Sequence, residues 1–112
     1  MDKDIKKLLE LNEELTEINT EWLNLKQNSK ELDIELMEFG TEKWEEYLNR
    51  SITGITTDEI NRLVSQDSTF IHIKKAKLER EILKLEFESN TKFRELRSQE
   101  AIVNRKTALI QS

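Results

Sequence analysis

The 112-residue chain has no cysteine, no proline and only two glycines, Gly40 and Gly54. Without cysteine there is no disulfide framework, no thiol nucleophile and no thiolate metal site. Proline and glycine are the residues that most weaken a helix interior, so their scarcity points to an all-α chain. Aromatic residues make up 6% of the chain, and its longest unbroken apolar runs are three residues. A bilayer span needs about 20 apolar residues, so no membrane association is expected. The first residues, Met1-Asp2-Lys3-Asp4-Ile5, lack the apolar stretch of a signal peptide. The expected location is therefore cytoplasmic, meaning the host cytoplasm where the chain is viral. On that reading the Asn49-Arg50-Ser51 sequon is coincidental.

Chemistry-bearing patterns are equally scarce. His72 is the only histidine and has no serine, cysteine or aspartate at a recognisable catalytic spacing. No Glu-x-x-His pair exists for a dimetal bundle, and no glycine-rich loop exists for a phosphate. Paired glutamates such as Glu13-Glu14 and Glu45-Glu46 read as solvated helix faces. We expect no enzyme activity, no catalytic residue, no metal and no cofactor.

What the chain does have is periodicity. Leu8, Leu11, Leu15, Ile18, Trp22, Leu25, Ser29, Leu32, Leu36 and Phe39 alternate at steps of three and four. This is the a/d seam of a heptad repeat, and it predicts a long helix over about 3–50 that packs along its length. Leu9, Leu23 and Met37 recur every fourteen residues beside the seam. They form a second, thinner contact line suited to a partner chain or a folded-back segment. After Phe39 the apolar residues move to Trp44, Tyr47 and Leu48, with Gly40 at the break. A kink or phase shift is expected there.

Residues 51–56, Ser-Ile-Thr-Gly-Ile-Thr, read as a connector, with Ile52 and Ile55 able to tuck onto the helix ends. Thr56-Thr57-Asp58-Glu59 fits a capping box that opens a short helix bearing Ile60, Leu63 and Val64 on one face. Asp67 or Ser68 can cap the next helix, predicted over about 69–110. Its seam reads Ile71, Lys75, Leu78, Ile82, Leu85, Ser89, Phe93, Leu96, Glu100, Val103, Thr107 and Ile110. The step of four from Ser89 to Phe93 follows another step of four and predicts a stutter. The expected fold is one all-α domain: a long antiparallel, coiled-coil-like helical hairpin with a short helix at the bend. Self-association into a homo-oligomer would cover its remaining apolar side.

Charge is distributed unevenly. Residues 1–50 hold fourteen acidic and seven basic side chains, whereas residues 68–112 hold six acidic and ten basic ones. Two readings follow. The hairpin helices attract each other across their seam, or the basic helix meets nucleic acid. For the second reading the candidates are Lys74, Lys75, Lys77, Arg80 and Lys84, then Lys92, Arg94, Arg97, Arg105 and Lys106. Lysine and arginine neutralise phosphates and release counterions, which gives sequence-independent, salt-sensitive binding. Glu79, Glu81, Glu86, Glu88, Glu95 and Glu100 are interleaved with them.

The acidic heptad-rich helix is followed by a bend with Thr57-Asp58-Glu59-Ile60 and Leu63-Val64-Ser65-Gln66-Asp67. A charged helix then carries Phe93-Arg94-Glu95-Leu96-Arg97-Ser98-Gln99-Glu100-Ala101 and Arg105. Over residues 20–106 the chain resembles the small helical proteins of tailed-phage recombination clusters, including UvsY-like recombination mediators. The resemblance implies an oligomeric, non-enzymatic accessory that binds single-stranded DNA and a recombinase and helps displace a single-strand binding protein. Another class of function is an inhibitor or adaptor that meets a host protein through the acidic first helix. A third is a virion scaffold or structural component.

Overall fold

In the computed structural model, residues 2–50 and 54–111 are described. The chain is an all-α helical hairpin. Its elements are α1 (Lys3–Arg50), α2 (Thr57–Asp67) and α3 (Thr69–Gln111), with α2 at the bend between the two long antiparallel helices. Two compact units build it: Met1–Asn24 with Glu81–Ser112, and Leu25–Arg80. No described helix is long and apolar enough to cross a membrane.

Local sequence sets the helix ends. The Asp2 carboxylate accepts the Asp4 amide at 2.9 Å, which satisfies an orphan donor at the start of α1. Thr56 is the N-cap of α2, and its hydroxyl oxygen accepts the Glu59 amide at 3.2 Å. The α2–α3 junction differs from expectation. The Ser68 hydroxyl donates backwards, to the Val64 and Ser65 carbonyls, so it closes α2 instead of capping α3. The Asp67 carboxylate is taken by the Tyr47 hydroxyl. The expected packing of Ile52, and the sequon that ends at Ser51, lie outside the described residues. Gly54 has φ 32°, in the left-handed region that glycine enters without a Cβ penalty.

The first unit is a two-helix structure. Its α1 segment turns Leu8, Leu11, Leu15, Ile18 and Trp22 inward, and Leu11 is buried. On α3 the inward positions are Ile82, Leu85, Ser89, Lys92, Leu96, Gln99 and Val103. The steps of three and four continue without interruption, so there is no stutter. Phe93 points away from the seam and is 45% exposed, while Lys92 is half-buried and Gln99 is 3% exposed. The correction has a simple cause. A lysine or glutamine can lay its methylenes in a seam if its polar end finds a partner. Lys92 reaches Glu14 at 2.6 Å, and the Gln99 side-chain amide donates to the Asp4 carbonyl at 2.9 Å. Glu100 is half-buried beside the seam, and Thr107 and Ile110 are exposed beyond its end.

The second unit has three helices. Leu25, Ser29, Leu32, Leu36 and Phe39 of α1 are half-buried, as are Lys75 and Leu78 of α3. Ile60 of α2 and Ile71 of α3 are 1% and 0% exposed, the most completely buried side chains of the described residues. α1 runs unbroken through Gly40 to Arg50. Here Lys43 and Glu46 stay half-buried on the old spacing while Trp44 and Tyr47 are half-buried beside them. The inward face of α1 thus widens where a phase shift was expected, because α2 packs against it. Gly40 faces Val64: a Cβ at that position would stand 3.8 Å from Val64 Cγ1.

Candidate nucleic-acid interface

In the first unit the seam of α3 fixes where its charges point. Glu81, Glu86, Glu88, Glu95 and Glu100 all fall on the rows immediately flanking the seam. The three outer rows carry Leu83, Lys84, Phe87, Asn90, Thr91, Arg94, Arg97, Ser98, Ala101, Asn104, Arg105 and Ala108. All of these are exposed, and none is acidic. The interleaving of acids and bases along the sequence therefore resolves into separate faces. The acids line the edge of the hairpin, and Lys84, Arg94, Arg97 and Arg105 project outward.

Three of the sequence-predicted cations are engaged across the hairpin. Lys92 bridges Glu14 at 2.6 Å and Glu95 at 3.7 Å. Lys106 meets Asp4 and, at 3.8 Å, Asp2. In the second unit Lys75 meets Asp33, with Glu79 at 3.9 Å. Each lysine is held above its ordinary pKa, chiefly by the hydrogen bond to its acidic partner. Asp4 is held below its ordinary value, chiefly by the bond from Lys106. Hydrogen bonds from uncharged donors accompany these ion pairs: Trp22 Nε1 donates to the Glu86 carboxylate at 3.0 Å, and the Ser89 hydroxyl to Asn19 at 2.9 Å.

The other candidates, Lys74, Lys77, Arg80, Lys84, Arg94, Arg97 and Arg105, make no ion pair among the described residues. Arg97 lays its guanidinium over the Phe93 ring at 4.9 Å from the centroid. That stacking pre-orients a planar fork of donors at the surface and gives the outward turn of Phe93 a use.

Sequence reasoning missed Lys7. It joins Thr91, Arg94, Glu95, Ser98, Gln99 and Ile102 in lining an open groove of about 390 Å³ in the first unit. Ser98 offers a hydroxyl donor there, whereas the Thr91 hydroxyl donates to the Phe87 carbonyl at 3.0 Å, and the Glu95 carboxylate lies 3.7 Å from the Lys92 ammonium. Lys3, Lys6 and Lys7 are the only cations in the first 25 residues, a cluster that stands out on an acidic helix. Antiparallel pairing brings that end of α1 to the arginine-bearing end of α3.

The seam candidates Leu8, Leu11, Leu15, Ile18 and Trp22 lie inward in the first unit, and Leu25, Leu32, Leu36 and Phe39 in the second. Leu9, Leu23 and Met37 stand outside the seam, at 48%, 60% and 74% exposure. His72 is exposed. No group of three or more His, Asp or Glu side chains gathers as a metal site among the described residues. Compared with known protein families, curated proteins and solved structures, the chain matches none.

Proposed function

We propose that the chain is a non-enzymatic helical binding protein that takes the phosphate backbone of single-stranded DNA. Its contacts would be Arg94, Arg97 and Arg105 on the outer face of α3, with Lys7 of α1. In its specific form this is a phage-type recombination mediator, which also holds a recombinase and assembles with further copies through its apolar surface. The observation that carries the reading is the acid-free outer face of α3 in the first unit, with four cations that form no ion pair among the described residues. The Ser98 hydroxyl in the groove beside Lys7 and Arg94 suits a phosphate oxygen. Lys75, Lys92 and Lys106 are left out, because acids of α1 already answer their charge.

The test is anisotropy of a labelled single-stranded oligonucleotide. Four phosphate contacts give a salt slope of about −3, so affinity should fall roughly 50-fold between 50 and 200 mM salt. Reversing Arg94, Arg97 and Arg105 together to glutamate should abolish binding at physiological salt. Unchanged binding would remove this face from the reading, and no binding at low salt would remove the reading itself.

One observation favours the adaptor reading. Glu10, Glu13 and Glu17 are exposed on α1 and make no ion pair among the described residues, so an acidic surface is open as well. A basic protein surface is its natural partner. Reversal of these glutamates should leave oligonucleotide binding intact, or strengthen it, while abolishing capture of that partner.

A further inference from the structure

The second unit carries two exposed apolar surfaces of opposite charge. The first is an open groove of about 630 Å³ between the C-terminal turns of α1 and α2, with Leu36, Met37, Trp44, Leu48 and Val64 in its lining. Gly40 leaves its floor open toward Val64. The one charged lining residue is Glu45. The second surface lies on α3. From Thr69 to Leu78 this helix has three lysines and no acid. Phe70, Ile73, Lys77 and Arg80 follow at steps of three, four and three and share one outward stripe. Ile73 is 50% exposed, and Phe70, whose ring meets the Phe39 ring of α1 edge to face at 5.4 Å between centroids, keeps its outer edge open at 49%. Lys77 and Arg80 make no ion pair among the described residues.

Five large apolar side chains of this unit are exposed: Ile34, Met37, Leu48, Phe70 and Ile73. Four of the five belong to these two surfaces. The groove lacks a helix, and the stripe is a helix face with apolar anchors at i and i+3 followed by cations at i+7 and i+10. That is the pattern an amphipathic helix uses to enter an apolar groove. The charges agree, since the groove presents Glu45 and the stripe presents Lys77 and Arg80. Every copy of the chain carries both halves.

We infer that a second copy of this chain occupies the α1/α2 groove, inserting Ile73 and the open edge of Phe70 beside Trp44 and Leu48 and setting Lys77 and Arg80 against Glu45. This stands independently of the nucleic-acid reading, which uses residues of the other unit.

The experiment is light scattering of the full chain over a concentration series, with the same series for Met37→Glu and Ile73→Glu. Both substitutions fall on half-exposed or exposed sites, and circular dichroism checks that each variant stays helical. The expected result is a defined oligomer of the parent chain and about a tenfold weaker association for either variant. Charge-swapped chains then test the pairing directly. Glu45→Lys alone and Lys77→Glu with Arg80→Glu alone should each associate poorly, and mixing the two should restore association. A parent chain that stays monomeric at low salt would overturn the proposal. So would association that Met37→Glu and Ile73→Glu leave untouched, or a mixture that fails to recover. The Arg94, Arg97 and Arg105 reversal should leave this association unchanged, so failure here and failure of DNA binding are separable.

Discussion

The two units solve the same problem with different means. The first has two helices, and the second has three. In the first, the buried apolar side chains are Leu11, Ile82, Leu85 and Leu96, each still 5–8% exposed. Its inward positions include Lys92 and Gln99, whose polar ends must be satisfied by Glu14 and Asp4. In the second, α2 covers the hairpin and takes Ile60 and Ile71 to 1% and 0% exposure. A two-helix seam has an open edge on each side, so it leaves every side chain partly wet and can admit amphipathic ones. A third helix closes one edge and creates fully dry positions. The first unit therefore depends on pairing and the second on packing.

The largest expected effect follows from that contrast. Ile71→Ala should cost about 3–5 kcal/mol, because a fully enclosed site cannot collapse around the missing methylenes. Leu96→Ala should cost nearer about 2 kcal/mol, the low end of the same range, because the open edges let neighbours and water fill the gap. Urea denaturation of the two variants measures the difference. Equal costs would mean that α2 encloses no more than the hairpin does alone.

A smaller pair of changes sharpens the polar side of the comparison. Gln99→Ala removes a buried donor from the Asp4 carbonyl and should cost about 1–3 kcal/mol. Phe93→Ser, at a 45% exposed ring, should change stability by less than about 1 kcal/mol. If Phe93→Ser proved the more damaging, the apolar residue would be the seam position after all.

That last comparison also marks where the sequence was legible. Steps of three and four over Leu8 to Phe39, the Thr56 cap and the turn formers around Gly54 placed all three helices. They did so because apolar period and capping chemistry are local. Beyond Ser89 the seam of α3 keeps the expected Leu96 and Val103 but takes Lys92 and Gln99 in place of Phe93 and Glu100, because an apolar criterion steps to Phe93 and passes over Lys92 and Gln99. Their fitness for the seam depends on Glu14 and Asp4, which lie on the other helix and far away in sequence. Lys7 was invisible for the same reason: a lysine on an acidic helix gains meaning only once antiparallel pairing brings it beside Arg94. The separation of acids and bases on α3 likewise appeared only after the seam was known. Gly40 looked like a break because the role of α2 in widening the inward face of α1 is tertiary. The interface candidates were thus legible as residue types. Which of them project outward was not.

The smallest effects come from pH, and they should differ between the units. Asp4, in the first unit, has its folded pKa lowered by Lys106. A lowered carboxylate pKa stabilises the fold above the unfolded value, and that contribution is lost as pH falls through the folded value, below about 4. In the second unit Tyr47 and Lys75 have raised values, caused first by their hydrogen bonds to Asp67 and Asp33. Those contributions are complete below the unfolded values near 10 and are lost as pH rises through the folded ones. Lys92 and Lys106 add the same alkaline loss to the first unit. Amide exchange followed from neutral pH toward acid should therefore loosen the residues around Asp4 and Gln99 before those around Ile60 and Ile71. All of these groups are exposed enough for salt to screen them, so raising the ionic strength should shrink the difference. Acid exchange that opened the α2 region first would mean that pairing, and not packing, holds the second unit together.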